Sequence, residues 1–229
     1  MSSICPPSRP QLSADKVRAY VQKTVVNGVP LFQLGPVLLL GNRGYYLNSM
    51  GEPGKNDRNL YDDAAWLIVW PKVNVPLFQS EPGYLNRLLK LGDPQLVQKA
   101  FSDLQVFPFN FNTDPSIYRK GRGYSDDTKG VAQLKAGLWW YKRGMHRGQY
   151  LAYVQAGDVT VIRDGNPPYE DTGDFGIHIH MGYDLSTSSL GCQTTPKSQW
   201  IEFDDQLSGI LRQYSLPKFP YYLTEETLQ

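Results

Sequence analysis

Two of the chain's three histidines and one of its two cysteines fall in a single stretch, Phe175 to Gln193, which reads FGIHIHMGYDLSTSSLGCQ. A thiol that attacks a carbonyl needs a nearby base, an exposed position and donors for the oxyanion that forms. His178 and His180 offer the base. The Ser/Thr/Gly-rich loop ending Ser189-Leu190-Gly191-Cys192 offers exposure. The backbone N–H groups of Gly191, Cys192 and Gln193 offer the donors, and Gly191 permits a left-handed turn there. In Ile177-His178-Ile179-His180-Met181, strand alternation puts the two isoleucines and Met181 on one face. His178 and His180 then share the other face with Gly176 and Gly182, as on the floor of an open polar cleft. Two plainer alternatives stand beside this one. The histidines can sit on a solvated sheet face, and a free cysteine is more often a buried, inert thiol. Against the second, Ser188, Ser189, Gln193 and Thr194 make poor core neighbours.

The elements that must position these residues follow from periodicity. Thr195-Pro196 reads as an N-cap and a first-turn proline. Trp200, Phe203, Leu207, Ile210, Leu211 and Tyr214 then recur at helical spacing, which predicts a core-docked helix. Its N-terminus would favour a thiolate at Cys192. Upstream, Leu138–Tyr141, Tyr150–Gln155 and Val159–Arg163 read as strands, and Asp164–Pro168 as the turn before the histidine strand. Ala65–Trp70, an apolar run closed by Pro71, reads as a buried strand. Ser13 caps a helix over Ala14–Val26. Val37–Leu40 and Tyr45–Leu47 flank Gly41-Asn42-Arg43-Gly44 as a hairpin, and residues 48–60 are loop by composition. Asp93-Pro94 opens a helix to about Asp103. Residues 107–130 read as a long irregular loop.

Composition sets the outer bounds. The chain has 229 residues, 41% of them hydrophobic, with 15 Tyr, 9 Phe and 5 Trp, which suffices for a core and argues against disorder. A net charge of +1 gives no field suited to nucleic acid. No apolar run reaches the ~18 residues of a membrane span, so no membrane segment is expected. MSSICPPSRP has no basic segment followed by an apolar one, so no secretory signal is read and synthesis in the cytoplasm is expected. With two cysteines, one of them in the N-terminal lead, a disulfide framework is not expected. Residues 1–12 are taken as a flexible lead and 13–229 as one domain.

The pattern I-H-x-G, a Ser/Thr-rich loop and S-x-G-C resembles the signature of the YkuD-type L,D-transpeptidase superfamily, in which a strand-borne His precedes [S/T]-H-G-C. Ile179-His180-Met181-Gly182 matches the first half and Ser189-Leu190-Gly191-Cys192 the second. A variant group found in phages and bacteria, with H-R-G-G-x-N-x-T-S-S-x-G-C-Q-T-I-P, is more similar still. It corresponds to the run from His180 to Pro196. The stretches RGYYLNSMGEPGKNDRNLYDDA from Arg43 and AGLWWYKRGMHRG from Ala136 also resemble that group. Leu190 stands where the superfamily has a second histidine. Gln193-Thr194 stands where an apolar residue and a substrate-holding Arg are usual, and the His-to-Cys loop is shorter.

The resemblance implies an α+β, β-rich fold: an L,D-transpeptidase-like catalytic sandwich or barrel over 131–215, with a C-terminal core helix and an N-terminal elaboration over 13–130. It implies action on peptidoglycan stem peptides, in the periplasm or cell wall by an export route other than a signal peptide, and without a cofactor. Cys192 would attack an amide carbonyl next to an L-configured centre. His180 would carry the proton, while Ser189 and the Gly191 and Cys192 amides position and polarise. His178 is an orienting neighbour, a substrate ligand or the base itself; the x-Gly after His180 favours His180 as the base. The thioester would pass to water or to another stem's amine. Arg43, Tyr45, Tyr183 and Gln193 are the candidate substrate contacts, with a solvated surface hairpin the plainer reading of Arg43, Tyr45, Tyr46, Asp62 and Asp63. Asn110, Asn112 and Asp114 read first as turn formers, and Arg119, Lys120 and Arg122 as a solvated run. Two other classes remain open. His-x-His on a strand can present two imidazoles to a metal ion, with Asp184 or Cys192 completing the set. A non-catalytic phage or structural protein can also keep such a fold.

Overall fold

The computed structural model describes residues 4–52, 54–70, 103–123, 128–187, 189–226 and 228. Helix α1 (Ala14–Lys23) is capped by Ser13, whose side chain accepts the Lys16 N–H. It stops three residues short of the Val26 expected, because Val25 and Val26 belong to a small hairpin, β1 (Val25–Val26) and β2 (Val29–Pro30). Asn27 and Gly28 form its turn, both with positive φ (52° and 78°), which is the backbone that an Asn-Gly pair supports best.

Strands β3 (Val37–Asn42), β4 (Asp63–Val69) and β5 (Gln105–Phe111) form an antiparallel set. Two sequence expectations fail here. Gly41–Gly44 is not a hairpin turn. Gly41 and Asn42 continue β3, whose partner β4 lies far along the chain, and Tyr45–Leu47 is not a strand. The first five residues of the loop expected over 107–130 belong instead to β5, in which Phe107, Phe109 and Phe111 alternate into the core; the described remainder is irregular apart from an isolated bridge at Asn112 and one short 3-10 turn, Ile117–Arg119. Pro108 obscured that alternation, yet β5 ends the strand order, where a missing donor is tolerated. The helix expected from Asp93 lies outside the described residues.

Strands β6 (Ala132–Leu134), β7 (Gly137–His146), β8 (Tyr150–Gln155), β9 (Val159–Arg163) and β10 (Tyr169–Gly173) follow. Then come β11 (Ile179–Met181), β12 (Gln193–Thr195), helix α2 (Lys197–Gln213) and β13 (Phe219–Thr224). The main sheet has eight strands in the order β12-β11-β8-β7-β13-β3-β4-β5, and β10-β9-β6 form a second sheet. Asn112, just past β5, exchanges two backbone hydrogen bonds of 2.8 and 2.9 Å with Thr194 of β12. The two ends of the large sheet therefore meet, and it curls into a nearly closed barrel. The protein is α+β and β-rich, with two α-helices among the described residues. No helix among them is long and apolar enough to cross a membrane.

Every residue of β3 and β4 is buried because both sheet faces are covered. Val37, Leu39, Ala65, Leu67, Phe109 and Phe111 face the core that α2 fills with Trp200, Phe203 and Leu207. Leu38, Leu40, Trp66 and Ile68 face the other way, onto Val17, Tyr20 and Val21 of α1. Of the expected flexible lead, the described residues 4–12 form no helix or strand. They do run along the fold: Ile4 O accepts the Tyr61 N–H, Ser8 O accepts Tyr46 Oη–H, and Arg9 pairs with Glu202 of α2.

Phe203 is fully buried and meets Phe109, Phe111 and Tyr153 edge-on. Phe203→Ala should cost about 3–5 kcal/mol through lost transfer energy and a residual cavity. Ile201→Ala, on the same helix but 73% exposed, should stay within about 0.5 kcal/mol. Denaturant titration of both variants checks the contrast. Equal losses would mean that α2 is not docked through the Phe203 face.

Candidate active site

The site is assembled by three neighbouring strands. His146 ends β7, and a tight turn follows in which Arg147 (φ 51°) and Gly148 (φ 68°) are both left-handed. The turn sets Tyr150 opposite His146. On β11, His180 lies opposite Ala152 of β8, which in turn lies opposite Gly144 of β7. The small Ala152 leaves room beside His180, and the rings of His146 and His180 lie with centroids 4.5 Å apart. The His178 ring stands at 89° to that of His146, with the two Nδ1 atoms 3.0 Å apart. All three histidines of the chain thus converge, with Ile177 and Ile179 buried on the opposite face as alternation requires.

Cys192 joins them from the loop before β12. A ring nitrogen of His146, a ring nitrogen of His180 and Cys192 Sγ all lie within 4.8 Å of one another. The His180 Nδ1 is 2.8 Å from Met181 O, so it carries the proton and Nε2 keeps the lone pair. The thiol donates to Gly176 O at 3.4 Å and receives the His178 backbone N–H at 3.5 Å. Ser189 clamps the loop, donating Oγ–H to Cys192 O and accepting the Gly191 N–H at 3.0 Å. Gly191 has φ 135°, and a Cβ there would collide with the Ala132 carbonyl oxygen, so only glycine fits. A cavity of about 440 Å³ opens over this cluster. Cys192, His146 and His178 line it, together with Arg147, Arg163 and Phe175. Arg163 lies over the Phe175 ring and pairs with Asp171 at 2.7 Å.

Enclosure dominates the electrostatics. The Cys192 side chain is partly exposed at the cavity, but burial pushes its thiol up to about 11, against the opposing pull of the His178 N–H and Arg147. Burial also lowers all three imidazoles, His146 most, to about 4, with His180 and His178 adding to the effect. At neutral pH the resting site is a thiol among neutral imidazoles.

Several sequence expectations need correction. The oxyanion donors are fewer than expected: Gly191 N–H goes to Ser189 Oγ and Gln193 N–H to His178 O at 2.8 Å. The Cys192 N–H has no hydrogen-bond partner among the described residues. The helix N-terminus does not serve the thiol. β12 intervenes, Thr195 directs its Oγ1 to Asn110 O and does not cap α2, and Asp184 accepts the Ser198 N–H of the first helical turn.

Of the candidate substrate contacts, none lines the cavity. Gln193 is fully buried, joined to Tyr221 Oη and to Thr113 O. Tyr45 packs edge-on against Trp66, on the α1 side of the sheet. Tyr183 is exposed, and its carbonyl accepts Tyr61 Oη–H at 2.7 Å. Arg43 is buried among Asp63, Asp114, Thr113 and Glu225. Neither is it solvated: Asp114, Asp63 and Glu225 hold it charged against the cost of burial. His146 was missed by sequence reasoning. The available signal was that β7 runs on from Tyr141 through KRGMH to an Arg-Gly turn, which returns the third histidine beside the other two.

No family model matches the chain, and no curated protein or solved structure matches it either.

Because enclosure depresses His146, the unfolded chain binds a proton there at a higher pH than the folded one. Stability present above pH 6.5 is therefore lost as pH falls towards about 4. Melting temperatures measured from pH 7 to 4.5 should fall more steeply for the wild type than for His146→Gln. Parallel curves would show that His146 is not enclosed as described.

Proposed function

We propose that this chain is a cysteine-nucleophile enzyme of the L,D-transpeptidase type, cleaving or transferring peptidoglycan stem peptides through a thioester on Cys192. The observation that carries the proposal is the meeting of Cys192 Sγ with ring nitrogens of His180 and His146; Cys192 and His146 line the cavity, and His180 is buried beside them. The likeness of His180 to Pro196 to the YkuD-type variant group supplies the substrate class.

The chemistry runs from the resting thiol. Cys192 releases Gly176 O and turns its proton to His180 Nε2, whose lone pair is fixed by the Nδ1 bond to Met181 O. The thiolate then attacks the amide carbonyl, and the Cys192 N–H is the backbone donor left for the oxyanion. His180 returns the proton to the leaving amine, and water or a second amine resolves the thioester. His178 works at one remove: its ring is turned to His146, and only its backbone N–H touches the sulfur. Arg147 and Arg163 line the same cavity and suit a substrate that carries carboxylates, as stem peptides do.

Defined tetrapeptide and cross-linked muropeptides, incubated with the protein and analysed by mass spectrometry, test the proposal. Cys192→Ala should abolish turnover and the covalent adduct. His180→Ala should remove nearly all turnover, since an unassisted thiol is only a few per cent thiolate at about pH 7. His178→Ala should lose about 10–100-fold, the usual cost of removing a group that orients another. An active His180→Ala with a dead His178→Ala would move the base to His178. Turnover surviving in Cys192→Ala would end the thioester reading.

A further inference from the structure

The arrangement that makes a nucleophile also meets the requirements of a soft-metal site. We propose that His146, His180 and Cys192 bind a thiophilic divalent cation of the Zn²⁺ class, with His178 holding His146 from behind. The proposal uses the cluster described above but does not depend on the peptide-cleaving activity.

Four observations support it. The donor set is two imidazoles and a thiol, which suits a borderline-soft ion. Their ligand atoms lie within 4.8 Å of one another, whereas a tetrahedral zinc site with such donors needs about 3.3–3.6 Å between them. Side-chain movements on the order of 1 Å close that gap. The Nδ1 of each imidazole is already engaged: His180 Nδ1 at Met181 O, 2.8 Å, and His146 Nδ1 at His178 Nδ1, 3.0 Å. Metal-ligating histidines characteristically hold their other nitrogen in this way, leaving Nε2 for the ion. Finally, the cavity lined by Cys192 and His146 gives an entry route and an open fourth position for water.

The second cluster of potential ligands among the described residues does not compete. Carboxylate oxygens of Asp62, Asp63 and Asp114 are equally close together. There the Arg43 guanidinium already occupies the place of the cation, 3.5 Å from Asp114 and bonded to Thr113.

Binding would exchange one proton for one metal bond: Cys192 Sγ–H loses its proton to solvent, and the thiolate bonds the cation with no change of oxidation state. The sulfur lone pair that would attack a substrate is then engaged. The metal-bound protein is an off state, and substrate and cation exclude each other at one atom.

The test is a titration of the chelator-stripped full chain with Co²⁺, an optical stand-in for Zn²⁺. One equivalent should bind with an intense thiolate-to-cobalt charge-transfer band, and Zn²⁺ should displace it. The band should vanish in Cys192→Ser, and affinity should fall at least about tenfold in His146→Gln and in His178→Ala, with circular dichroism confirming that each variant is folded. No band at millimolar cobalt, or a band unchanged in Cys192→Ser or His146→Gln, would overturn the site. A muropeptide assay of the stripped protein separates the two proposals. If it is active and stoichiometric Zn²⁺ silences it, both stand. If it is active and Zn²⁺ neither binds nor inhibits, the metal site falls alone. If it binds cobalt through the thiol but forms no thioester, the metal site stands and the enzymatic reading falls.

Discussion

The parallel pairing of β11 with β12 is the constraint from which the site follows. Ile179, His180 and Met181 lie beside Gln193, Thr194 and Thr195 in that order. Two parallel neighbours cannot be joined by a tight hairpin; the connection must travel back the full length of the strand. Here the chain leaves β11 at Gly182 and has to re-enter beside Ile179. Cys192, the last residue of that return, therefore lands against the backbone of His178, with His180 two residues along the strand. The return path is stitched at several points. Ser189 O receives the Ser116 N–H, Thr187 Oγ1 reaches Arg58 O, and Gln193 N–H closes onto His178 O. Without the parallel register, the thiol would be near the histidines in sequence but not in space.

On its other side β12 is bonded to Asn112, and the strand ends around that seam converge on a buried charge cluster. Arg43 donates to Thr113 Oγ1 at 2.9 Å, to Leu134 O at 2.8 Å and to Glu225 at 2.7 Å, while Asp63 accepts the Thr113 N–H at 2.6 Å. Burial pushes the carboxyls of Asp62 and Asp63 well above the usual carboxylate range, with the neighbouring carboxylates adding to both and Arg43 opposing the rise at Asp63. Such a cluster is weak evidence for net stability, yet removing one member strands the rest, a loss of about 3–5 kcal/mol. Gln193 shares the Thr113 carbonyl with Arg43. Arg43 and Gln193, two of the candidate substrate contacts, are thus tied together behind β12.

What could be read in advance divides along a physical line. Periodicity and turn chemistry are local, and they located α2, β4, β8, β9 and the face shared by His178 and His180. Pairing partners are not local. Gly41-Asn42-Arg43-Gly44 has turn composition, but the hydrogen bonds offered by β4 and β13 kept it extended up to Asn42. In β5 the alternation of Phe107, Phe109 and Phe111 was present but masked by a proline that an outer strand accommodates. Thr195-Pro196 has the composition of a cap, yet the ladder with Met181 claimed Thr195 first. Within the site, Cys192, His178, His180, Ser189 and Gly191 were legible because they share one segment. His146 was not, because its place depends on the β7–β8 register. The amides of Gly191 and Gln193 were also beyond reach, since a backbone donor's availability is decided by which acceptor folds onto it.

The place of β13 in the large sheet bears on how the chain is made. It lies between β7 and β3, antiparallel to one and parallel to the other. The strands β3, β4 and β5 leave the ribosome early, and those carrying the histidines later; apart from the short Asn112–Thr194 seam, the two groups are joined side by side through a strand that emerges after both. During synthesis the first group must wait with the β3 edge unpaired, a state in which a hydrophobic strand such as Val37–Leu40 is open to wrong partners. Closure of the barrel is therefore a late event, dominated by contacts distant in sequence and slow for that reason. The histidines and the thiol lie on β7, β11 and the return to β12, a set that with β8 pairs within itself, so the site can assemble before β13 closes the barrel around it.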